Sequence, residues 1–439
     1  MLDTAFVRSQ FPAFSVPALH GRAFFENAGG SYVCRQVIDR LMRYYRERKV
    51  QPYSAYEASR LAGEEMDEAR ARLAAMLGVE TDELSFGPST TQNTYVLAQA
   101  FGQWLKAGDA IIVTNQDHEA NSGPWRRLAE RGIDIREWKI DRDTGRLPVE
   151  GLKNLLDGKV KLVCFPHASN IVAEINPVAE FARLAHDAGA YVCVDGVSYA
   201  PHGFPNVGAL GADIYLFSSY KTYGPHQGVM IVRREAAERL PNQGHYFNAG
   251  TLYKRFTPAG PDHAQVAACA GMADYYDDLY AHHFSGGIED RHSGATRSGE
   301  PGIHGGDGFR VLASGEPRND CGASNRTNAV HDLMRARETE LLQPLLDFLA
   351  SKNSVRLLGP HEASKRMPTV AMVLKEPGAE AAARLAERGI MCGGGDFYGV
   401  RCLEAQGVDP DHGALRVSFV HYTAREEVEK LMRALDAVI

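Results

Sequence analysis

Short apolar runs alternate with amphipathic stretches from Leu84 onward, and this alternation predicts an α/β fold. Strands are predicted at 84–86, 110–114, 160–165, 191–195, 214–217 and 228–233. The intervening stretches predict helices, among them 177–188, which has proline in its first turn and Gly189 at its end. Nearly continuous apolar strands are buried on both faces, so we expect a mainly parallel sheet covered by helices on both sides.

The pattern changes near residue 284, which predicts a division into domains. Residues 1–22 are predicted to form an N-terminal arm and residues 23–283 a large domain. Residues 284–325 are rich in glycine, serine and charge without periodicity, so we expect an exposed, mobile insertion. Helical and strand patterns resume over residues 326–439, which predicts a smaller C-terminal α/β domain whose last helix begins with the capping box Thr423-x-x-Glu426.

Composition narrows the class of protein. The chain has 439 residues, 44% of them hydrophobic and 23% charged, as in a soluble globular protein. A net charge of −7 predicts no binding to nucleic acid or to anionic membranes. No secretory signal or membrane span is recognisable. The seven cysteines are scattered without a CxxC pair, which predicts reduced thiols in the cytoplasm and neither a disulfide framework nor a metal site.

Polar residues that could take part in binding or catalysis follow the ends of the predicted strands. In open α/β sheets, ligands bind at the carboxyl ends of the strands. We therefore expect the residues at these ends to meet in one site: Thr90, Thr91, His118, Asn170, Asp195, Ser218 and Lys221.

These residue types suit a pyridoxal 5′-phosphate (PLP) site. Lys221 follows a strand among small and aromatic residues, where desolvation lowers an amine pKa, as a Schiff-base lysine requires. Asp195 ends an apolar strand and suits the pyridine nitrogen, and His118 suits the ring face. Each residue also has an ordinary interpretation: a surface lysine, a helix-capping aspartate or a loop histidine.

The remaining groups of such a site are also present. The turn before Thr90 and Thr91 opens a helix, whose free N–H groups favour a phosphate, and Ser218 offers a further hydroxyl. Asn170 suits the phenolic oxygen of the cofactor. A plain N-cap and a loop asparagine are the alternative interpretations.

The order of these elements resembles the class V aminotransferase family, fold-type I PLP-dependent enzymes that include the cysteine desulfurases. The resemblance runs from about residue 23 to the C-terminus, except the insertion. The matching stretches are Asn27-Ala-Gly, Thr90-Thr91, Asp117-His118-Glu-Ala-Asn121, Ser169-Asn170, Val194-Asp195-Gly, Ser218-x-Tyr-Lys221-x-x-Gly-Pro and Leu415-Arg416-Val-Ser-Phe-Val-His-Tyr422.

The resemblance implies a large domain with a mainly parallel, seven-stranded sheet and a smaller C-terminal domain. It implies Lys221, Asp195 and His118 as catalytic residues. Thr90, Thr91, Asn170, Ser198, Ser218 and Tyr220 would join them in binding the cofactor. Arg416 would hold the substrate carboxylate, for which a planar guanidinium suits best. The other implied substrate-binding residues are Asn27, Ala28, Gly29, Asn121 and Tyr398. A homodimer is also implied.

The chain departs from the family pattern at several positions. Tyr220 stands where the family usually has histidine, and Ser198 where many members have glutamine. A Gly-Thr-Pro-Asn-type segment, which often reaches the partner's phosphate, reads Ala259-Gly-Pro-Asp here. Tyr398 aligns with the nucleophilic cysteine of the desulfurases, and Cys392 and Cys402 flank it.

These features predict a cysteine desulfurase-like PLP enzyme acting on an amino acid, with a sulfur acceptor as partner if desulfuration occurs. A desulfurase needs a mobile thiolate, for which Cys402 is the candidate. An aminotransferase, an epimerase or a C–S lyase uses the same first steps without a cysteine. The alternative outside catalysis is a PLP-fold protein that serves as a binding partner.

Overall fold

The computed structural model describes residues 1–284 and 321–439. The α-helices in these ranges are α1 Thr4–Ser9, α2 Arg35–Glu47, α3 Glu57–Leu77, α4 Thr90–Trp104, α5 Gly123–Arg126, α6 Val149–Leu155, α7 Val178–Asp187, α8 Val207–Leu210, α9 Arg234–Arg239, α10 His263–Ala268, α11 Ala270–Phe284, α12 Cys321–Ala350, α13 Gly378–Glu387, α14 Val400–Ala405 and α15 Arg425–Asp436. The strands are β1 Ala23–Phe24, β2 Leu84–Gly87, β3 Ala110–Thr114, β4 Asp134–Trp138, β5 Val160–Pro166, β6 Tyr191–Asp195, β7 Ile214–Ser218, β8 Gly228–Val232, β9 Arg356–Leu357, β10 Thr369–Val373, β11 Ile390–Met391, β12 Gly393–Gly395 and β13 Ala414–Ser418.

The large domain is built on a seven-stranded sheet in the order β2-β8-β7-β6-β5-β3-β4. Strands β4, β3, β5, β6 and β7 run parallel, whereas β8 pairs antiparallel with both β7 and β2. The expected mainly parallel sheet is confirmed. All parallel strands therefore end at one edge, and the polar residues that follow them come together there.

Both faces of this sheet are buried, which explains the nearly continuous apolar strands. Val163 and Val192 pack into the hydrophobic cluster on one face, and Leu162 and Cys193 into the cluster on the other. Cys164 is also fully buried, as expected for a small apolar side chain inside a strand. A charge on either face of these strands would have no water to solvate it.

The C-terminal domain has a four-stranded antiparallel sheet in the order β12-β13-β10-β9. Strand β1 pairs in parallel with β11, and Ala23 and Phe25 pack in the hydrophobic cluster of this domain. The N-terminal arm also contacts it, since Arg8 pairs with Glu427 at 2.7 Å. Residues near 23 thus pack with the C-terminal sheet, and the domain bounds expected from the sequence stay a prediction.

Several predicted element boundaries differ from the structure. β4 and α6 have no counterpart among the predicted elements. The final helix has Ala424 as its N-cap, whose N–H donates to the Glu427 side chain at 2.8 Å, so the expected capping box at Thr423 is wrong by one residue. The predicted insertion, 284–325, lies mostly outside the described residues, although α12 already begins at Cys321.

Two kinds of feature are absent from the described residues. No helix in residues 1–284 or 321–439 is long and apolar enough to cross a membrane. In the same ranges, no cluster of three or more His, Cys, Asp or Glu side chains is arranged to hold a metal ion.

Candidate active site

One pocket lies at the carboxyl edge of the seven-stranded sheet. All nine predicted cofactor-binding residues line it: Thr90, Thr91, His118, Asn170, Asp195, Ser198, Ser218, Tyr220 and Lys221. Ala120, Pro166, Ala168 and Val197 complete the lining. The topology brings these groups together because each follows a strand or begins a helix at that edge.

Lys221 ends a short 3-10 turn, Ser219–Lys221, that follows β7 directly. Its carbonyl accepts a hydrogen bond from the Ser31 hydroxyl at 2.7 Å, which fixes the backbone of the turn. Desolvation, together with the charge of Arg416, lowers the pKa of the Lys221 amine to about 8, although Asp195 and Glu26 act in the opposite direction. A substantial fraction of this amine is therefore neutral near physiological pH.

Asp195 is the last residue of β6 and is buried at 6% exposure. One carboxylate oxygen accepts from Val197 N at 2.8 Å. Burial raises the pKa of this carboxyl to about 6, and the Val197 hydrogen bond and the charge of Lys221 oppose the rise. Only the Val197 hydrogen bond and the charge of Lys221 stabilise the ionised form of this buried carboxyl, so the pocket is suited to a further cationic group beside it.

The start of α4 forms the floor of one end of the pocket. Ser89 is the N-cap, and its hydroxyl accepts from Gln92 N at 3.1 Å. The Thr90 hydroxyl lies 2.8 Å from the hydroxyl of Ser218, the last residue of β7. A Cβ on Gly228 would lie 2.6 Å from Thr90 N, so glycine lets β8 approach this helix end. Backbone donors and two hydroxyls at a helix N-terminus suit an anion.

Two rings form walls of the pocket. His118 follows β3, and its Nδ1 accepts from Ala120 N at 3.0 Å. Burial, with the charges of Lys221 and Arg416, lowers the pKa of His118 to about 4, so the ring is neutral at physiological pH. Tyr220 stacks on His226 with ring centroids 4.7 Å apart.

The loop after β12 closes the pocket towards a wider opening. Asn170 donates to Phe397 O at 2.9 Å, and Glu119 N donates to Tyr398 O at 2.9 Å. Phe397 and Tyr398 both have left-handed backbones, with φ of 52° and 56°. The Tyr398 ring is 71% exposed and lies 5.4 Å from that of His118, in the opening shared by both residues.

Arg416 lies behind Asn170 and pairs with a residue that sequence reasoning did not single out. Its Nη2 donates to Glu26 Oε1 at 2.8 Å, and its Nη1 donates to Asn170 O at 3.3 Å. The guanidinium carbon stands 3.8 Å from the centre of the Phe397 ring. Burial lowers the pKa of Arg416, whereas Glu26 raises it.

Other predicted substrate-binding residues lie outside the pocket lining. Asn27 donates to Ser418 O at 3.0 Å and accepts from the Tyr422 hydroxyl, so its amide joins the N-terminal segment to β13. Ala28 N donates to the Ser418 hydroxyl at 2.8 Å, and Gly29 continues the same turn.

Asn121 also lies away from the pocket, beneath the loop that carries His118. Its Nδ2 donates to Asp117 Oδ1 at 2.8 Å, and its Oδ1 accepts from the Trp125 indole at 3.4 Å. These hydrogen bonds support the loop that carries His118, and the contact of Asn121 with a substrate stays a prediction. Asp117 itself is buried, and burial raises its pKa to about 8.

The two thiols near the loop are poor nucleophiles. Cys402 is fully buried on α14, and burial raises its pKa to about 12. Burial also raises the pKa of the half-buried Cys392 to about 12, and the negative charge of Glu26 adds to the rise. Within the described part of the chain, no cysteine lines the pocket or its opening.

Sequence reasoning missed the apolar lining, Asp117 and Glu26. Alanine, proline and valine carry no chemical signature, so only the fold identifies the apolar lining. Asp117 begins the stretch Asp117-His118-Glu-Ala-Asn121, which resembles the family, and that stretch was the available signal for it. Glu26 directly precedes the stretch Asn27-Ala-Gly, which resembles the family. Its partner Arg416 is far away in the chain, so no signal in the sequence indicates that the two residues pair.

Comparisons with known proteins identify the family of this chain. The family model described as aminotransferase class-V matches residues 23–267 and 327–431. An aminotransferase-like protein of Gibberella zeae, FGM3, is 30% identical, and the match covers 99% of this chain and 98% of that protein. A cysteine desulfurase of Haloferax volcanii is 27% identical, with 99% of this chain and 97% of the relative covered.

Solved structures show the same fold. The apo structure of a cysteine desulfurase from Thermococcus onnurineus NA1 superposes with a TM-score of 0.80 at 21% identity, covering 100% of this chain and 98% of that one. The Escherichia coli cysteine desulfurase CsdA superposes with a TM-score of 0.77 at 21% identity, with 100% and 98% covered. The chain has the fold of these fold-type I proteins and belongs to the class V aminotransferase family.

Proposed function

We propose that this chain is a PLP-dependent enzyme that acts on an amino acid and uses Lys221 as the acid–base group at Cα. The observation that carries the proposal is a lysine with a pKa near 8 in the same pocket as a buried, undercompensated aspartate. Members of the family are PLP-dependent, and the pocket residues suit that cofactor. When bound, PLP withdraws electrons from the Cα–H bond of an attached amino acid.

The residues that would hold PLP divide by charge and shape. Asp195 would face the pyridine nitrogen and keep it protonated, and His118 would cover the ring. The hydroxyls of Thr90 and Ser218 and the N-terminus of α4 would bind the phosphate. The remaining lining residues with polar side chains are Thr91, Asn170, Ser198 and Tyr220.

Proton transfer in this site is assigned to Lys221. A general base works best when its pKa lies near the operating pH, and a value of about 8 meets that condition. The neutral His118 does not compete for the proton, because its pKa is about 4. Asp195, with a pKa of about 6, is ionised at the same pH and keeps its negative charge.

The reaction that follows is proposed to need no cysteine nucleophile. The loop presents Tyr398 to the opening, and the nearby thiols stay protonated because their pKa values are about 12. Desulfuration through a thiolate, the reaction of the cysteine desulfurases, is therefore disfavoured. Elimination by a C–S lyase, transamination and epimerisation all remain available to Lys221 and form the proposed class of reactions.

Assembly as a homodimer is part of the proposal. It is supported by family membership and by the loop at Ala259-Gly260-Pro261, which lies beside Phe86 and Gly87 near the helix end that would bind phosphate. Light scattering of the purified protein measures the assembly state. A monomer at micromolar concentration contradicts this part of the proposal.

The cofactor assignment is tested by absorbance. The purified protein should show a visible band that Lys221→Ala abolishes, and borohydride reduction followed by peptide mass spectrometry should find a pyridoxyl group on Lys221. Lys153→Ala is the matched control, since Lys153 lies on the surface beside Glu150. A colourless protein that added PLP does not change would refute the assignment.

The reaction class is tested with L-cysteine in the presence of a reductant. Pyruvate, ammonia and sulfide indicate elimination, whereas a keto acid formed only with an amino acceptor indicates transamination. With L-cysteine deuterated at Cα, loss of the deuterium together with inversion of configuration indicates epimerisation. Alanine with sulfide indicates desulfuration, which contradicts the proposal if either Cys402→Ser or Cys392→Ser abolishes it.

A further inference from the structure

The pair between Glu26 and Arg416 is only half formed. Glu26 Oε1 accepts from Arg416 Nη2 at 2.8 Å. Glu26 Oε2 and Arg416 Nε are both buried without a hydrogen-bond partner among the described residues. Arginine commonly meets a carboxylate through two parallel hydrogen bonds, and an unpaired buried polar atom is unfavourable. A buried donor and a buried acceptor are thus left over within one contact.

Backbone pairing fixes both side chains of this contact. Arg416 lies opposite Gly393 in the β12–β13 ladder, and Glu26 forms a parallel bridge with Ser418 on the same strand as Arg416. A Cβ on Gly29 would lie 2.8 Å from Glu26 Oε1, and one on Gly393 would lie 2.7 Å from Oε2. The carboxylate therefore lies between two glycines that leave room for it, and the backbone pairing on both sides means that the contact is not a chance pairing of mobile surface groups.

We propose that Glu26 is a specificity-determining residue that competes with the substrate α-carboxylate for Arg416. This inference rests on the proposed function and on the role that the family resemblance implies for Arg416, which is to receive that carboxylate. With Glu26 in place, the empty site carries no net charge, and an incoming carboxylate must displace an existing ion pair. An amino acid is held at a second point by its amino group and overcomes this competition. A carboxylate that lacks an amino group has no second point of attachment and is rejected.

The inference predicts the effect of removing one charge at constant shape. Glu26→Gln keeps the size of the side chain but leaves the buried guanidinium without a counter-charge. A ligand then gains a charge-assisted hydrogen bond that it no longer has to take from Glu26. We expect simple carboxylates to bind about tenfold more tightly to this variant.

The test uses propionate, which has no amino group, and calorimetry of the full-length protein as purified. Glu376→Gln is the matched control. Glu376 pairs with Arg384 at 2.8 Å and is 25% exposed, against 29% for Glu26, but it lies away from the pocket. Tighter binding of propionate to Glu26→Gln alone, with no gain for the uncharged propionamide, supports the inference. Glu26→Asp, whose shorter side chain draws the carboxylate away from Nη2, should give a smaller gain.

Failure of this inference is distinguishable from failure of the proposed function. If Glu26→Gln binds propionate as weakly as the unmodified protein while Arg416→Lys weakens binding further, Glu26 does not compete and the role of Arg416 stands. If no variant, Arg416→Lys included, changes propionate binding, both the competition and the carboxylate site at Arg416 are overturned. Circular dichroism of each variant establishes that it is folded.

Discussion

Replacing Asp195 by asparagine should stabilise the cofactor-free protein. Burial raises the pKa of this carboxyl from 3.8 to about 6, so its ionised form is less favourable in the folded state than in the unfolded chain. Because the folded state holds the proton more tightly, the free energy of unfolding falls as the pH rises from 3.8 through about 6. At 1.36 kcal/mol for each pKa unit, the full cost above pH 7 is about 3 kcal/mol, and roughly half of it is present near pH 5.

Asparagine imitates the protonated acid and can still accept from Val197 N. We therefore expect Asp195→Asn to raise the free energy of unfolding by up to about 3 kcal/mol near pH 8 and by roughly half as much near pH 5. Denaturant titration followed by tryptophan fluorescence is a suitable assay. The three tryptophans, Trp104, Trp125 and Trp138, all lie in the large domain and report its unfolding.

The control for this experiment is Asp39→Asn, an exposed position on α2. It should change the free energy of unfolding by less than about 0.5 kcal/mol at every pH. If Asp195→Asn is no more stable than the unmodified protein near pH 8, or if its advantage grows towards low pH, burial of the charge is not the cause of the raised pKa. With PLP added, the unmodified protein should become more stable than Asp195→Asn, because the variant lacks the charge that would stabilise the bound cofactor.

Three further outcomes are expected. Cys402 should stay unlabelled by a thiol reagent in the native protein, since burial raises its pKa to about 12, and rapid labelling seen by mass spectrometry would contradict this. Gly228→Ala should weaken PLP binding in an absorbance titration, because the added Cβ would lie 2.6 Å from Thr90 N and displace the start of α4. Unchanged affinity for PLP would contradict this, since it would mean that α4 moves without disturbing the phosphate site. Glu338→Ala should lower the free energy of unfolding by about 3 to 5 kcal/mol, because it leaves Arg335, 3.1 Å away, without its buried counter-charge. Glu338→Gln removes the same charge and should lose most of this free energy as well, so a Glu338→Gln variant as stable as the unmodified protein by circular dichroism would refute the charge argument.

The sheet was predictable from sequence wherever burial dominated. Strands such as Ala110–Thr114 and Tyr191–Asp195 have uniform apolar faces, because helices cover them on both sides, and their predicted bounds match the structure. Strand β4, Asp134–Trp138, is an edge strand with mostly exposed or half-buried residues, so it lacks that pattern and was missed. Its pairing with β3 comes from tertiary contacts that local sequence does not show.

The candidate site was predictable as far as it depends on strand ends. Lys221 and Asp195 end or follow neighbouring strands, and the parallel topology brings them into one pocket. The contribution of the N-terminal segment was not predictable in this way. Glu26 meets Arg416 through the pairing of β1 with β11 and of its own backbone with Ser418, contacts between opposite ends of the chain that no periodicity reveals.

That pairing has a consequence for the order in which the protein is completed during synthesis. Strand β1 leaves the ribosome more than three hundred residues before its partner, Ile390–Met391. At about 5 to 20 residues per second, the N-terminal strand waits roughly tens of seconds with Ala23 and Phe25 uncovered. Arg416 is made later still. The residues proposed to bind the carboxylate therefore come together only after Arg416 has been made, and we expect a chain stalled before that point to hold a sheet without a working site.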